Sequence, residues 1–148
     1  MNRSLLWSPH DVAVRFVDAW GNGDMDVAGR MLAPDVVYTR TSWRTLRGRT
    51  AVSRHFVKRT ASRGRLEAVL LHAAADDDGV VLTERVNALT YGRFRIQFWV
   101  CSRFEVREGR IAVWQDYFDY FEVAKAVARA GAGAAVPRLR PTFPRLAD

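Results

Sequence analysis

The stretch that decides the fold is residues 80–119, VVLTERVNALTYGRFRIQFWVCSRFEVREGRIAVWQDYFD. Apolar and polar side chains alternate along most of it, which is the pattern of half-buried strands. Two short turn sequences, Tyr91-Gly92-Arg93 and Glu108-Gly109, interrupt the alternation. Because such short turns join antiparallel neighbours, we predict a meander with strands over 80–89, 94–106 and 111–118.

Upstream of the meander, the apolar residues repeat with the period of helices. Ser8 and Pro9 are typical of an N-cap and a first helical position, and apolar residues then recur at spacings of three and four as far as Trp20. This pattern predicts a helix over 9–20. The remaining predicted elements are a second helix that ends before Pro34, a strand over 36–39, a third helix after Thr50, a strand over 66–71 and a last helix over 119–130.

Helices followed by a meander predict an α+β fold in which the helices pack on a curved, mainly antiparallel sheet. Such a sheet leaves a concave mouth that can enclose a hydrophobic pocket. We expect an N-terminal arm over residues 1–8, one domain over 9–130, and a tail over 131–148. The tail is rich in Gly, Ala and Pro, so regular structure should break there, and its apolar residues suit a linker or a docking arm.

Composition narrows the class of protein. The 148 residues are 49% hydrophobic and 26% charged, and a chain of this length buries roughly two thirds of its surface, enough for a core with a pocket. Its single cysteine, Cys101, excludes an intramolecular disulfide and suits a reducing compartment. Without a signal-peptide core or an apolar run near ~18 residues, we expect a cytoplasmic protein that contacts no membrane. No motif points to a metal or an organic cofactor.

Asp116 is the first candidate for chemistry. Alternate residues of a strand share a face, so Asp116 shares its face with the aromatic residues Trp114 and Phe118. A carboxylate on an apolar concave face is poorly solvated, which favours a general base. An acid that merely pairs at the rim would give the same pattern. Trp114 and Phe118 are expected to line the pocket, with Leu89 and Phe98 from neighbouring strands.

A cation that could pair with this acid lies on an earlier strand. Arg85 and Asn87 project from one face, between apolar neighbours. If that face looks into the pocket, Arg85 can pair with Asp116 and Asn87 can orient a ligand. The opposite arrangement, with Arg85 and Asn87 in solvent and Leu82 and Val86 inside, fits the periodicity equally well.

Basic residues are concentrated between Arg40 and Arg65, a stretch without any acid. Together with the net charge of +7, this density would favour a substrate that carries an anionic group. No helix-turn-helix, zinc-finger or RNA-binding aromatic motif accompanies it, so we do not expect a nucleic-acid partner. A solvated basic face explains such a run equally well.

Several segments together resemble the limonene-1,2-epoxide hydrolase family. They are residues 82–87 (LTERVN), 98–101 (FWVC), 104–111 (FEVREGRI) and 114–119 (WQDYFD). The likeness covers most of the chain and is densest over 81–119. It implies the cone-shaped α+β fold of nuclear transport factor 2-like proteins, which polyketide cyclases share, and a homodimer. A face rich in Phe94, Ile96, Phe98 and Trp99 would suit the dimer interface.

The resemblance also implies a one-step opening of an epoxide. One Asp, helped by a Tyr and an Asn, deprotonates water; a second Asp protonates the epoxide oxygen; an Arg bridges the two carboxylates. The resemblance implies that Asp116 corresponds to the water-activating Asp, Arg85 to the bridging Arg and Tyr38 to the water-orienting Tyr. Two positions depart, because Asn87 stands where the family has the acid Asp, and Arg40 where it has the water-binding Asn.

These departures bear on the chemistry. An amide cannot deliver a proton, so Asn87 can only donate a hydrogen bond to a developing alkoxide, and loss of a positioned acid typically costs 10²- to 10⁴-fold in rate. We therefore expect an enzyme that opens an epoxide on an apolar, terpenoid- or polyketide-like small molecule. The nucleophile is water or a hydroxyl of the substrate itself, which would make the protein an epoxide-opening cyclase. The alternatives are a cyclase or isomerase that abstracts a C–H proton, and a catalytically silent binding domain.

Overall fold

A computed structural model describes residues 7–61 and 64–145. In chain order, the elements are α1 (Pro9–Gly21), α2 (Met25–Met31), β1 (Leu32–Arg40), β2 (Leu46–Arg47), α3 (Arg49–Ala61), β3 (Arg65–Ala75), β4 (Val80–Tyr91), β5 (Phe94–Arg107), β6 (Arg110–Tyr117), α4 (Tyr120–Ala135) and a short 3-10 turn (Pro137–Leu139). The first three helices and the antiparallel meander lie close to where the sequence predicts them, and the α+β class is confirmed.

The fold is built on one curved sheet of six strands, which lie in the order β2-β1-β6-β5-β4-β3. The meander β3 to β6 is antiparallel throughout, and β4 and β5 stay paired from Val80 opposite Glu105 to Tyr91 opposite Phe94. β1 joins the sheet parallel to β6, so Tyr38 lies opposite Trp114 and Arg40 opposite Asp116. This pairing brings residues far apart in the chain to adjacent positions on one face.

The N-terminal helices pack against this sheet. The Ser8 side chain caps α1 by accepting from the Asp11 backbone N–H at 3.1 Å, and the apolar side of α1, including Phe16 and Trp20, is buried. Gly21 ends the helix at a point where a Cβ would lie 2.9 Å from the Cβ of Ala68 on β3. Only a glycine allows the helix to approach the strand so closely.

Strand β1 is longer than predicted. It begins at Leu32 and includes Pro34, whereas the sequence predicts a strand only over 36–39. Its register with β6 shifts between Leu32 and Val37. Proline lacks the N–H that a ladder needs, and such an irregularity is where a strand tolerates it.

The prediction that regular structure breaks after residue 130 is wrong. α4 continues to Ala135 and buries Ala126, Ala130 and Gly133. These small residues let the helix lie close to its neighbours: a Cβ on Gly133 would be only 3.0 Å from the Cα of Arg140. Gly133 is therefore a site of close packing rather than a break.

The tail beyond α4 packs back on the domain as a docking arm. The Gln97 side-chain amide donates to the backbone carbonyl of Thr142 at 2.8 Å, and the Arg95 guanidinium lies 4.6 Å from the centre of the Phe143 ring. Residues 1–6 of the predicted N-terminal arm and residues 146–148 of the tail fall outside the described residues. Within the described ranges, no helix is long and apolar enough to cross a membrane.

The apolar face expected to form a dimer interface is divided between two environments. Phe94 and Trp99 are exposed, but Ile96 and Phe98 line the internal cavity. Trp99 points to the opposite side of the sheet because it differs by one residue in strand parity. That outer side also exposes Leu82 and Tyr117.

Candidate active site

The candidate active site lies on the concave face of the sheet, where four strands contribute one polar side chain or more each. β4 supplies Arg85 and Asn87, β6 supplies Asp116, and β1 supplies Tyr38. Each is nearly inaccessible, with exposed fractions of 0%, 6%, 5% and 3% respectively. The fourth strand, β5, places Ser102 directly opposite Asp116 in the antiparallel register. Four of the five predicted catalytic residues therefore meet in one buried cluster.

The two oxygens of Asp116 have different surroundings. Oδ1 accepts three hydrogen bonds, from Arg85 Nη2 at 3.0 Å, Trp114 Nε1 at 2.7 Å and the Ser102 hydroxyl at 2.5 Å. Oδ2 accepts one, from the Tyr38 hydroxyl at 3.2 Å. Three donors hold the carboxylate in place and leave unused acceptor capacity on Oδ2. Oδ2 is therefore the oxygen with room for a further hydrogen bond on the cavity side.

Arg85 is held between this carboxylate and a neutral amide. Its Nη2 pairs with Asp116, its Nε donates to Asn87 Oδ1 at 3.0 Å, and its Nη1 donates to the Ser102 hydroxyl. The guanidinium also lies 5.3 Å from the centre of the Trp20 ring. A fully buried guanidinium requires such partners, because an unpaired charge in the interior is very costly. The bridging geometry expected of Arg85 is present, with an amide in place of the second carboxylate.

Asn87 is oriented by this contact. Because its Oδ1 accepts from Arg85, its amide Nδ2 is directed elsewhere, and within the described residues it donates no hydrogen bond. Asn87 lines the cavity. It therefore offers an N–H donor, and no transferable proton, to a ligand beside Asp116.

Tyr38 stays protonated. Burial raises the pKa of its hydroxyl far above the usual value, and the nearby charge of Asp116 raises this pKa further. The ring packs among aromatic residues, with its centroid 4.4 Å from that of Trp114 and 5.3 Å from that of Phe56. Tyr38 is thus a fixed hydrogen-bond donor to Oδ2.

Arg40 lies one step further along the same face of β1 but makes no ion pair among the described residues. Its guanidinium lies 4.6 Å from the centre of the Trp43 ring. The structure does not bring Arg40 into the hydrogen-bonded cluster of Asp116, Arg85, Asn87 and Tyr38, although it lines the same cavity.

The cluster lies in the wall of a cavity of about 350 Å³. Leu89, Phe98 and Phe118 line this cavity, where the sequence places them, and Trp43 lies where it opens. Trp114 does not line it: the indole is 1% exposed, lies in the core and donates to Asp116. α4 closes one side with Val123 and Val127, and Tyr120 ties the start of α4 to the backbone carbonyl of Thr41 at 2.6 Å.

The sequence analysis did not predict the contacts of Ser102 and Trp114 with Asp116. Ser102 reads as one polar residue in a strand, and only the register with β6 places its hydroxyl on Asp116 and Arg85. Strand parity does place Trp114 on the face of Asp116, but as a residue that lines the pocket. Its hydrogen bond could have been predicted, since an indole N–H needs an acceptor when it is buried. Within residues 7–61 and 64–145, no three His, Cys, Asp or Glu side chains gather to hold a metal.

A curved six-strand sheet covered by helices, with this polar cluster in the wall of an apolar cavity, defines an α+β protein of the nuclear transport factor 2-like class. The model of the limonene-1,2-epoxide hydrolase catalytic domain matches residues 8–129. The chain therefore belongs to the limonene-1,2-epoxide hydrolase family and is an epoxide hydrolase-like enzyme.

Known relatives agree with this assignment. Epoxide hydrolase EphG of Mycobacterium tuberculosis (strain ATCC 25618 / H37Rv) is 40% identical over 130 residues, which span 86% of this chain and 85% of that protein. The structure of a limonene-epoxide-hydrolase-like epoxide hydrolase from M. tuberculosis matches with a TM-score of 0.85 and 35% identity, over 91% of this chain and 95% of that one. A putative polyketide cyclase from Pseudomonas putida KT2440 has a TM-score of 0.73 at 15% identity, over 82% and 98% of the two chains, and shows the shared fold.

Proposed function

We propose that this protein opens an epoxide on an apolar small molecule, with Asp116 as the base. The observation that carries the proposal is the asymmetry of the Asp116 carboxylate. Three donors occupy Oδ1, whereas Oδ2 has only Tyr38 and belongs to a residue that lines the cavity. A carboxylate fixed in this way can accept a proton from a nucleophile bound in the cavity.

In the proposed step, the nucleophile's oxygen bonds to one epoxide carbon while the bond from that carbon to the epoxide oxygen breaks. The proton of the nucleophile passes to Asp116 Oδ2. The epoxide oxygen becomes an alkoxide that accepts a hydrogen bond from Asn87 Nδ2. Because an amide has no proton to give, the alkoxide takes its proton from water, and Asp116 later returns its own to solvent. Arg85 offsets the negative charge of the Asp116 carboxylate before the step and of the alkoxide beside Asn87 after it.

A hydroxyl of the substrate itself is a second candidate for the nucleophile. The specific observation that favours it is Arg40, which stands at the family's water-binding position. Its guanidinium lies over the Trp43 ring and makes no hydrogen bond to Asp116 among the described contacts. A water molecule would then have fewer partners than in the family pattern. An internal hydroxyl is held by the rest of the substrate and needs no such site, and its attack forms a cyclic ether.

The test is turnover of a panel of apolar epoxides, some with an internal hydroxyl, with the products separated by chromatography. We expect diol or cyclic ether from the wild type and none from Asp116→Asn. Asp77→Asn, in the exposed turn between β3 and β4, controls for a general effect of the same substitution. Product that persists in Asp116→Asn would contradict the role of Asp116, and binding without turnover would favour a silent binding domain or C–H proton abstraction.

A homodimer is the oligomeric state that we propose, as in the family pattern. The outer side of the sheet presents Trp99, Tyr117 and Leu82 with exposed fractions of 54%, 45% and 57%. Trp99 and Tyr117 both neighbour Cys101, which is also exposed. An apolar patch of this kind on the face away from the active site suits contact with a second copy. The exposed free thiol of Cys101 also supports the proposal of a reducing, cytoplasmic location.

A further inference from the structure

Arg40 is a cation in the cavity wall that has no acidic partner among the described residues. The guanidinium lies against Trp43, and its Nε is buried without an acceptor. Neither terminal nitrogen, Nη1 or Nη2, has an acceptor among the described residues, although Arg40 lines the cavity. Stacking on the face of an indole leaves the edge of the guanidinium, with its N–H donors, free for another group.

The charges around the cavity do not balance. Among the described residues that line the cavity, Asp116 is the acidic one, and its carboxylate is already paired with Arg85. Arg40 also lines the cavity and adds a positive charge that no acid among the described residues balances. The opposite wall is apolar, with Leu89, Ile96 and Phe98 among its residues. A ligand that complements this surface has an apolar body and one anionic group.

We propose that Arg40 binds a carboxylate carried by the substrate, so that the preferred substrate is an apolar epoxy acid. The two terminal N–H groups of a guanidinium match the two oxygens of a carboxylate, a pairing stronger and more directional than a neutral hydrogen bond. For the epoxide part of the ligand, the inference rests on the proposed function. The binding of an apolar carboxylate at Arg40 rests on the cavity itself.

The sheet also limits how far the carboxylate lies from the reacting ring. Arg40 and Asp116 are directly opposite on the neighbouring parallel strands β1 and β6, and neighbouring strands are about 4.8 Å apart. The side chains of Arg40 and Asp116 therefore begin close together. We expect the epoxide to lie only a few bonds from the carboxylate.

Binding tests the site without any turnover. Isothermal titration should show that decanoic acid binds the wild type about tenfold more tightly than decanamide, the usual size of one charge-assisted hydrogen-bonded contact. Arg40→Met should remove this preference while decanamide binding stays as in the wild type, and Arg40→Lys should retain part of it. Arg54→Met, an exposed arginine on α3 that does not line the cavity, is the matched control for loss of one positive charge.

A second readout comes from His55. Burial lowers the pKa of its imidazole, as do the nearby charges of Arg59, Arg40 and Arg44. A carboxylate at Arg40 would offset part of this repulsion, so saturating decanoic acid should raise the His55 pKa in a proton NMR titration. The imidazole signals of His10 and His72, which do not line the cavity, serve as internal controls and should not respond to the ligand.

Turnover separates this inference from the proposed function. Among epoxydecanoic acids that differ in the distance from ring to carboxylate, each measured against its own amide, we expect about tenfold higher kcat/KM for the acid when that distance is short. Equal binding of acid and amide, or binding of neither, would overturn the inference and leave neutral-epoxide opening intact. Binding of acid through Arg40 with no epoxide opened would instead support the inference and refute the proposed function.

Discussion

Asn87 shows how one change of residue type alters the chemistry of a cluster. Arg85 contacts Asn87 where the family pattern has a second Asp, and it still bridges to Asp116. Arg85 bridges Asp116 and Asn87 through Nη2 and Nε respectively, with both contacts at 3.0 Å. A neutral amide resembles the protonated form of a carboxylic acid in shape and charge, so the buried cluster keeps its charge balance. What it loses is the transferable proton. In the proposed reaction, the cluster therefore supplies a base, Asp116, and no general acid.

The first prediction concerns this missing acid. Asn87→Asp should raise turnover of a simple terpene epoxide by about 10²- to 10⁴-fold, the usual contribution of a positioned general acid. Single-turnover kinetics on the wild type and the variant measure the change. Asp116→Asn should abolish activity in either background. An unchanged rate in Asn87→Asp would mean that Arg40 or the shape of the cavity limits the reaction.

The second prediction compares two buried hydroxyl residues that lie opposite each other on β4 and β5. The Ser102 hydroxyl accepts from Arg85 and donates to Asp116, whereas the Thr83 hydroxyl is buried and has no partner in the part of the chain that the structure describes. Ser102→Ala should lower the free energy of unfolding by about 1–3 kcal/mol, because it leaves buried charged groups short of a partner.

Thr83→Val is the matched control for this prediction. It should be neutral or stabilising, because it replaces a hydroxyl that has no hydrogen bond with a methyl group of similar size. Urea unfolding of the two variants and the wild type gives both numbers. Equal destabilisation of both variants would show that side-chain packing, and not the hydrogen bond, determines the cost.

At the scale of elements, the burial of both faces of β4 explains why the sequence alone did not decide whether Arg85 and Asn87 face the pocket or solvent. Arg85 and Asn87 are buried on the cavity side, and Val86 and Ala88 are also buried, on the opposite side. When both faces of a strand are covered, periodicity does not identify the one that faces the core. Leu82, 57% exposed, shows that the outer face becomes open to solvent further along the strand.

The third prediction belongs to α4 and compares two of its glycines. A Cβ on Gly131 meets nothing within 4 Å, so Gly131→Ala should stabilise the protein by about 0.5–1 kcal/mol, the helix propensity difference. A Cβ on Gly133 would meet the backbone of Arg140 at 3.0 Å. Gly133→Ala should therefore give less stabilisation or a net loss.

Thermal unfolding of the two glycine variants tests this contrast. Protection of the Arg140 amide in hydrogen exchange is a second measurement, and it should fall only in Gly133→Ala because the tail is displaced there. Equal stabilisation by both substitutions would show that the tail does not pack on α4.

At the scale of the molecule, the two faces of the sheet differ in what they present. Its concave face, closed by helices, holds the cavity and the polar cluster, and its outer face exposes Trp99, Tyr117 and Leu82. Strand alternation alone produces this division, because residues one apart point to opposite sides. Ile96 and Phe98 fall on the cavity side, so an interface on the outer face cannot include them.

The fourth prediction tests that interface. Trp99→Lys should convert the proposed dimer into a monomer, since it places a charge in the centre of an apolar contact. Sedimentation velocity across a range of protein concentrations measures the change. Trp43→Lys is the matched control, because Trp43 is exposed to the same 54% but lies where the cavity opens. A wild type that is monomeric, or a dimer that survives Trp99→Lys, would contradict the proposal.

The sequence by itself determined the class of the fold, because helical and strand periodicities and short turns are local properties of the chain. Through strand parity and the family resemblance, it also identified four candidate site residues that the structure brings together: Asp116, Arg85, Tyr38 and Asn87. Only the tertiary structure decided which face of β4 meets the cavity, that Ser102 and Trp114 hold Asp116 Oδ1, and that Arg40 lies outside the hydrogen-bonded cluster. These facts depend on register between distant strands and on which surfaces are covered, and neither is encoded in any short stretch of the chain.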